Sequence, residues 1–324
     1  MIGQEQEFES GEISLDQDLR QRLGALAPLH EGELKLKDGA VVSFQRLGQP
    51  RSSRLLIANG LGARLYTWLP LLPTLLERFE ILCWNYRGLF DPQEEGSALR
   101  WSEQSLAIEA HGADLIELAE AGFDTHPPTE ELHLLGWSMG VQVCLSAALQ
   151  APGRFQSLLL LNGCSGQVFE SVFRPFSWVP KLPFPLSPLV DQLRKRRRLI
   201  GRGCRGLSAI SRRAARAQSL FDPLLLLTLS QYLGDLGGER LELYLRLFQD
   251  LDTHSVEAEL DQIQVPVTVI SGELDPLTPS HRGEALAQQL PRGVHHTLLG
   301  THFLVFERSE TLIKLVSAHF DRVS

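Results

Sequence analysis

Cysteine, methionine and tyrosine are scarce in this chain, at four, two and four in 324 residues. Cys83, Cys144, Cys164 and Cys204 lie far apart with no CxxC pair, which argues against a disulfide framework. Three of them sit in apolar strand or helix patterns, as free buried thiols do in a reducing compartment. Long apolar runs are missing too; the stretch PLLLLTLSQYL from Pro223 is far too short to span a bilayer. The first thirty residues are polar and acidic, without the basic start and apolar stretch of a signal peptide, so a cytoplasmic protein is expected. Net positive charge is lacking as well. At −8 overall, nonspecific nucleic-acid binding is not expected.

The charge is unevenly spread. Residues 192–216, QLRKRRRLIGRGCRGLSAISRRAAR, carry ten basic residues and no acidic one, which leaves −18 for the remainder. Two readings stand side by side: a solvated face paired with acidic residues of the core, or a surface that attracts an anionic substrate or an anionic lipid membrane.

With 43% hydrophobic and 22% charged residues, the composition is that of a soluble globular protein. ELKLKDGAVVSFQRLG reads as a hairpin turning at Asp38-Gly39. Apolar strands then alternate with helical patterns: RLLIAN, a helix over YTWLPLLPTLLERF, EILCWNY, and a helix ending at Gly122 that opens on a capping-box-like region at Ser102 and Ser105. LHLLGW, the helix after Ser138, SLLLLNG, PVTVISG, a helix from about Ser280, VHHTLLG and a helix from Leu304 to about His319 follow. Such alternation predicts an α/β fold, with a mostly parallel central sheet and helices on both faces. It breaks between about Cys164 and Gln264, where a Pro- and Phe-rich run leads into several short helical patterns. A stretch of that length with its own helices predicts an inserted helical cap. The expected division is an N-terminal extension over residues 1–32, a core over 33–164 and 265–324, and a cap over 165–264.

One short motif carries chemistry. Gly136-Trp137-Ser138-Met139-Gly140 is G-x-S-x-G between a strand and a helix, the context in which a strained turn lifts a serine hydroxyl above the sheet edge. Alone, three fixed positions match by chance in roughly one chain in ten, so a turn serine competes with a nucleophile. Ligands of open α/β sheets bind beyond the carboxyl ends of the strands, so the residues following each strand decide the matter. Asp275 follows PVTVISG, His302 follows VHHTLLG, and the loop Asn59-Gly60-Leu61-Gly62 follows RLLIA. Asp252 and Asp261 are rival acids. His295 and His296 lie within a strand pattern as structural histidines, and His254 and His281 read as helix-surface residues.

At the loop NGLG, the elbow GWSMG, the acid turn GELDPLTP and the turn GTHF, the sequence resembles the capped branch of the α/β-hydrolase fold family, from about Glu33 to the C-terminus. The resemblance implies Ser138 as nucleophile, His302 as general base, Asp275 as its orienting acid, and the Leu61 and Met139 amides as the oxyanion hole. It implies neither metal nor organic cofactor. The chain has Asn59-Gly60 where many members carry His-Gly, and NYRGLF where D-x-R-G-x-G is usual. A serine nucleophile argues against dehalogenase and epoxide-hydrolase chemistry. The implied activity is hydrolysis of a carboxylic ester or thioester of a small molecule. The alternatives are carbon–carbon bond hydrolysis of a diketone-like substrate and a noncatalytic ligand-binding protein on the same scaffold. Phe169, Phe173, Phe176, Trp178 and Phe184 are expected either to pack within the cap or to wall an apolar pocket over Ser138.

Overall fold

A computed structural model of the chain describes residues 15–89, 105–124, 131–168, 196–216, 223–236 and 241–323. Eight strands form one sheet: β1 Leu29–Lys35, β2 Val41–Leu47, β3 Ser53–Ala58, β4 Glu80–Trp84, β5 Glu131–Trp137, β6 Ser157–Leu161, β7 Val267–Gly272 and β8 Gly293–Leu298. Their order is β1-β2-β4-β3-β5-β6-β7-β8. The β1–β2 and β2–β4 pairs are antiparallel. From β4 onward every pair is parallel, so the carboxyl ends of β3, β5, β7 and β8 share one edge.

The helices are α1 Leu15–Leu26, α2 Leu72–Leu76, α3 Ile108–Ala121, α4 Met139–Gln150, α5 Arg197–Arg216, α6 Pro223–Leu236, α7 Leu241–Thr253, α8 Ser280–Gln289, α9 Leu304–Glu307 and α10 Ser309–Asp321. They cover both faces, which is why β6 reads as an unbroken leucine run rather than an alternating one. Leu158 and Leu160 pack in the cluster holding α3, α4 and α8. Leu159 and Leu161 pack in the opposite cluster, with α1, α2 and α10. A fully buried leucine contributes roughly 2 kcal/mol of transfer free energy, so a polar residue on either face would be costly.

The hairpin turns where expected, with Gly39 at φ 90° and the Ala40 amide donating to Asp38 Oδ1 at 3.0 Å. Three expectations need correction. The single helix predicted from Tyr66 is a 3-10 turn, Leu65–Trp68, followed by the short α2, because Pro70 and Pro73 lack the amides that would continue a ladder. The helix over SEQSLAIEAHG starts at Ile108 with Ala107 at its N-cap and no side-chain cap bond; the Ser105 hydroxyl accepts the Ala107 amide instead, and Ser102 lies outside the described residues. The last helix is broken at Arg308, at φ −137° and ψ 31°. In the N-terminal segment, α1 buries Leu19 and Leu23 against the core, and β1 pairs with β2 from Leu29.

Arg87 is the arginine that NYRGLF keeps of the D-x-R-G-x-G pattern. Its guanidinium, 3% exposed, donates to both Asp114 oxygens on α3 and to Asp38 Oδ2 in the hairpin at 2.6 Å. It joins three elements through charge-assisted bonds. Between β6 and β7 the chain inserts α5, α6 and α7. Of these, α7 buries Leu243, Tyr244, Leu247 and Leu251 in the core. The aromatic run from Phe169 to Phe184 lies outside the described residues.

Candidate active site

The turn from β5 into α4 places Ser138 at φ 56° and ψ −118°, a region sparsely populated by residues with a side chain. The conformation is held by close packing at the two flanking glycines. A Cβ at Gly136 would meet the Gly140 carbonyl, and one at Gly140 would overlap the Ala58 carbonyl oxygen. The Ser138 amide donates to Leu161 O at 3.0 Å, pinning the elbow to β6. Ser138 is half-buried, and its hydroxyl makes no hydrogen bond among the described residues.

Asp275 and His302 are brought together. His302 Nδ1 lies 2.7 Å from Asp275 Oδ2, with the histidine 6% and the aspartate 0% exposed. The two turns carrying them interlock: the Glu273 amide donates to Leu298 O at 2.8 Å and the Leu274 amide to Gly300 O at 2.9 Å. On the far side, Glu307 accepts from the Thr301 amide at 2.6 Å and its hydroxyl at 2.7 Å, fixing the turn before His302.

Asp275 has no free lone pair to waste. Oδ1 accepts the Leu277 amide at 2.8 Å and the Thr278 amide at 3.0 Å. Oδ2 accepts the Asn162 side-chain amide at 2.7 Å and the Thr278 hydroxyl at 2.8 Å, besides His302. Burial pushes the Asp275 carboxyl up, but the hydrogen bond and charge of His302, the Thr278 amide and the Asn162 side chain outweigh it and hold the pKa below the usual carboxylate value. An ionised carboxylate only accepts, so His302 Nδ1 carries the proton between them, and in the neutral imidazole Nε2 is then the acceptor.

Trp137 links this pair to the elbow. Its indole N–H donates to the His302 carbonyl at 3.1 Å, and the two rings lie 5.6 Å apart. Sequence reasoning missed Trp137, Asn162 and Thr278. Asn162 carried a signal: it directly follows an all-leucine strand and adopts φ 45°, a conformation asparagine tolerates better than most residues.

The loop after β3 is built around Asn59, which is 1% exposed. Its side chain donates to Cys83 Sγ at 2.9 Å and accepts the Trp68 indole N–H at 2.9 Å, while its carbonyl accepts the Tyr86 hydroxyl at 2.6 Å. Asn59 therefore acts as a clamp beneath the loop. Gly60 lies against the Trp137 ring, and Gly62, at φ 78°, against Tyr232 and Tyr244 of α6 and α7. The amides of Leu61 and Met139 make no hydrogen bond among the described residues. Packing of Gly140 on Ala58 and Asn59 holds the start of α4 against this loop.

The rivals lie elsewhere. Asp261 is exposed on the turn Glu257–Gln262, and the carboxylate bonded to His302 is Asp275, not Asp252. His295 Nε2 sits 3.1 Å from Ser271 Oγ, a structural contact. His254 is not a surface residue: it is 5% exposed and its Nδ1 pairs with Gln142 Oε1 at 2.6 Å, because the chain after α7 returns against α4. His281 is half-buried on α8. Cys83, Cys144 and Cys164 are buried free thiols and Cys204 is partly exposed. Burial pushes Cys83 up to about 12, so it stays an unreactive thiol. Among the described residues no His, Cys, Asp or Glu cluster could hold a metal ion, and no helix is long and apolar enough to cross a membrane.

A family model described as the alpha/beta hydrolase fold matches residues 53–309, and the chain belongs to that family of enzymes. It is 26% identical over 247 residues to RutD of Stutzerimonas stutzeri (strain A1501), provisionally named a carbamate hydrolase, covering 75% of this chain and 82% of the relative. It is 22% identical over 284 residues to the poly(3-hydroxyalkanoate) depolymerase of Ectopseudomonas oleovorans, covering 87% and 89%. Among solved structures, the enol-lactonase of Burkholderia xenovorans LB400 superposes with a TM-score of 0.64 at 20% identity, over 90% of this chain and 100% of that one.

Proposed function

We propose that this protein is a serine hydrolase that cleaves a carboxylic ester through an acyl-enzyme. The observation that carries the reading is the 2.7 Å bond between His302 and a fully buried Asp275, on the turns neighbouring a strained Ser138. A serine hydroxyl is a weak nucleophile until an imidazole takes its proton, and His302 Nε2 is the free acceptor for it. Asp275 holds the tautomer and stabilises the imidazolium. The developing oxyanion is received by the Leu61 and Met139 amides, each such donor being worth about 2.7 to 4 kcal/mol in known hydrolases. His302 then protonates the leaving group, and water, activated by the same imidazole, releases the acid. A thioester would form the same acyl-enzyme. The names of the relatives, a provisionally named carbamate hydrolase and a poly(3-hydroxyalkanoate) depolymerase, fit attack on an acyl carbon.

Hydrolysis of nitrophenyl esters of increasing acyl length, by the wild type and by Ser138→Ala, tests the reading. The expected result is turnover by the wild type and a loss of kcat of at least about 10⁴-fold in the variant. Equal rates in the two proteins would overturn it.

A further inference from the structure

The ten-residue basic cluster plays no part in the chemistry above, and the structure adds to it a feature that the sequence left ambiguous. Helix α5 packs on α6 through two serines: Ser208 Oγ donates to Ser230 O at 2.7 Å, and Ser230 Oγ donates to Ser208 O at 3.0 Å. Both are buried, so this reciprocal pair fixes the rotation of α5 about its axis. Gly201 is buried and Ile200, Cys204 and Ser211 are half-buried on the same side.

The opposite side is then forced outward, and it is apolar. Leu199, Leu207 and Ile210 are 67%, 54% and 61% exposed. At about 100° per residue they fall within a stripe roughly 80° wide. Gly203 lies within the stripe, and a Cβ added there would meet nothing within 4 Å among the described residues. The exposed Arg202 and Arg213 line one flank of the stripe. Single exposed leucines are ordinary; an apolar row on one helix beside a row of arginines is not.

We propose that this face of α5 docks the enzyme on an anionic lipid surface. The apolar stripe enters the acyl boundary, and the arginines lie at headgroup level, their stems along the apolar region and their guanidinium groups on lipid phosphates. Charge complementarity selects the occupant: residues 192–216 carry ten positive charges and no negative one, on a protein whose remaining −18 would repel the same surface. That opposition favours the approach in which α5 meets the membrane. The segment lies flat on the surface and does not cross it.

The test is cosedimentation of the full-length Ser138→Ala protein with vesicles of phosphatidylcholine alone and of phosphatidylcholine mixed with phosphatidylglycerol, so that the readout is independent of turnover. Binding to the mixed vesicles and not to the neutral ones is expected, weakening as salt is raised. Arg202→Gln with Arg213→Gln should weaken it roughly 30-fold, at about fivefold per basic residue. Leu207→Ser with Ile210→Ser leaves the charge unchanged and should weaken it about tenfold or more. Thermal unfolding of each variant confirms that it is folded. Three results would overturn the proposal: no binding to anionic vesicles at low salt, equal binding to neutral ones, or no effect of the Leu207 and Ile210 changes. The last would leave a purely electrostatic surface suited to an acidic protein.

Discussion

The Trp137 indole donates its N–H to the His302 carbonyl at 3.1 Å, so the residue immediately before the elbow serine holds the turn that carries the histidine. Trp137→Phe keeps the ring and removes the bond. We expect kcat to fall about tenfold with KM little changed, because a small displacement of a reacting group is costly. The stability loss should be about 1 kcal/mol, the worth of one hydrogen bond. Ester kinetics and thermal unfolding check this; a lower Tm with kcat intact would show that the bond serves the fold alone.

Asn162 holds Asp275 from the side of β6. In Asn162→Asp, a second carboxylate would face Asp275 Oδ2 where an amide now donates at 2.7 Å. Like charges that close do not both ionise, and one carboxyl pKa rises. Asn162→Ala loses only the donor. The aspartate variant should therefore be the slower of the two at neutral pH, and should gain on the alanine variant as pH falls. A pH profile of kcat/KM for both proteins decides, and parallel profiles would refute the electrostatic account.

At the far edge of the sheet, away from Ser138, His133 Nδ1 and His319 Nε2 share Ser157 Oγ at 2.8 and 2.9 Å. Burial lowers both pKa values from the usual 6.5 to about 4. The unfolded chain takes up these protons near pH 6.5 and the native state resists them until about pH 4. Stability is therefore complete above pH 6.5, falls as pH drops toward 4, and levels off below. Each histidine contributes on the order of 3 kcal/mol at most, and their shared serine makes the two effects non-additive. Tm should fall by several degrees between pH 7 and pH 4.5, less so in His319→Gln. A flat Tm would contradict it.

Two glycines separate packing from propensity. Gly140→Ala places a methyl group inside the Ala58 carbonyl at the start of α4, and should cost about 3 kcal/mol or more or prevent folding. Gly24 sits exposed in α1, and a new Cβ there would meet nothing within 4 Å among the described residues. Gly24→Ala should stabilise by roughly 0.5 to 1 kcal/mol through helix propensity alone. Denaturant unfolding of both variants gives opposite signs if the close approach at Gly140 is real.

Local pattern was enough to read the strands, their mostly parallel arrangement and the hairpin, because hydrophobic period and turn chemistry are properties of neighbouring residues. It also singled out Ser138, Asp275 and His302, each directly after a strand whose carboxyl end lies on one edge. Where helices stop was harder to read. Pro70 and Pro73 cut one helix into two, and Ser105 bonds an amide without capping α3, since backbone competition is settled residue by residue. Chain proximity alone could not show that Asn162 and Thr278 anchor Asp275, that Trp137 carries His302, or that His254 returns to Gln142. Those contacts join residues up to 165 positions apart, and only the packed sheet brings them within hydrogen-bond reach. The same is true of α5: its composition set the charge, but the Ser208–Ser230 pair, a tertiary contact, decided which of its faces meets the solvent.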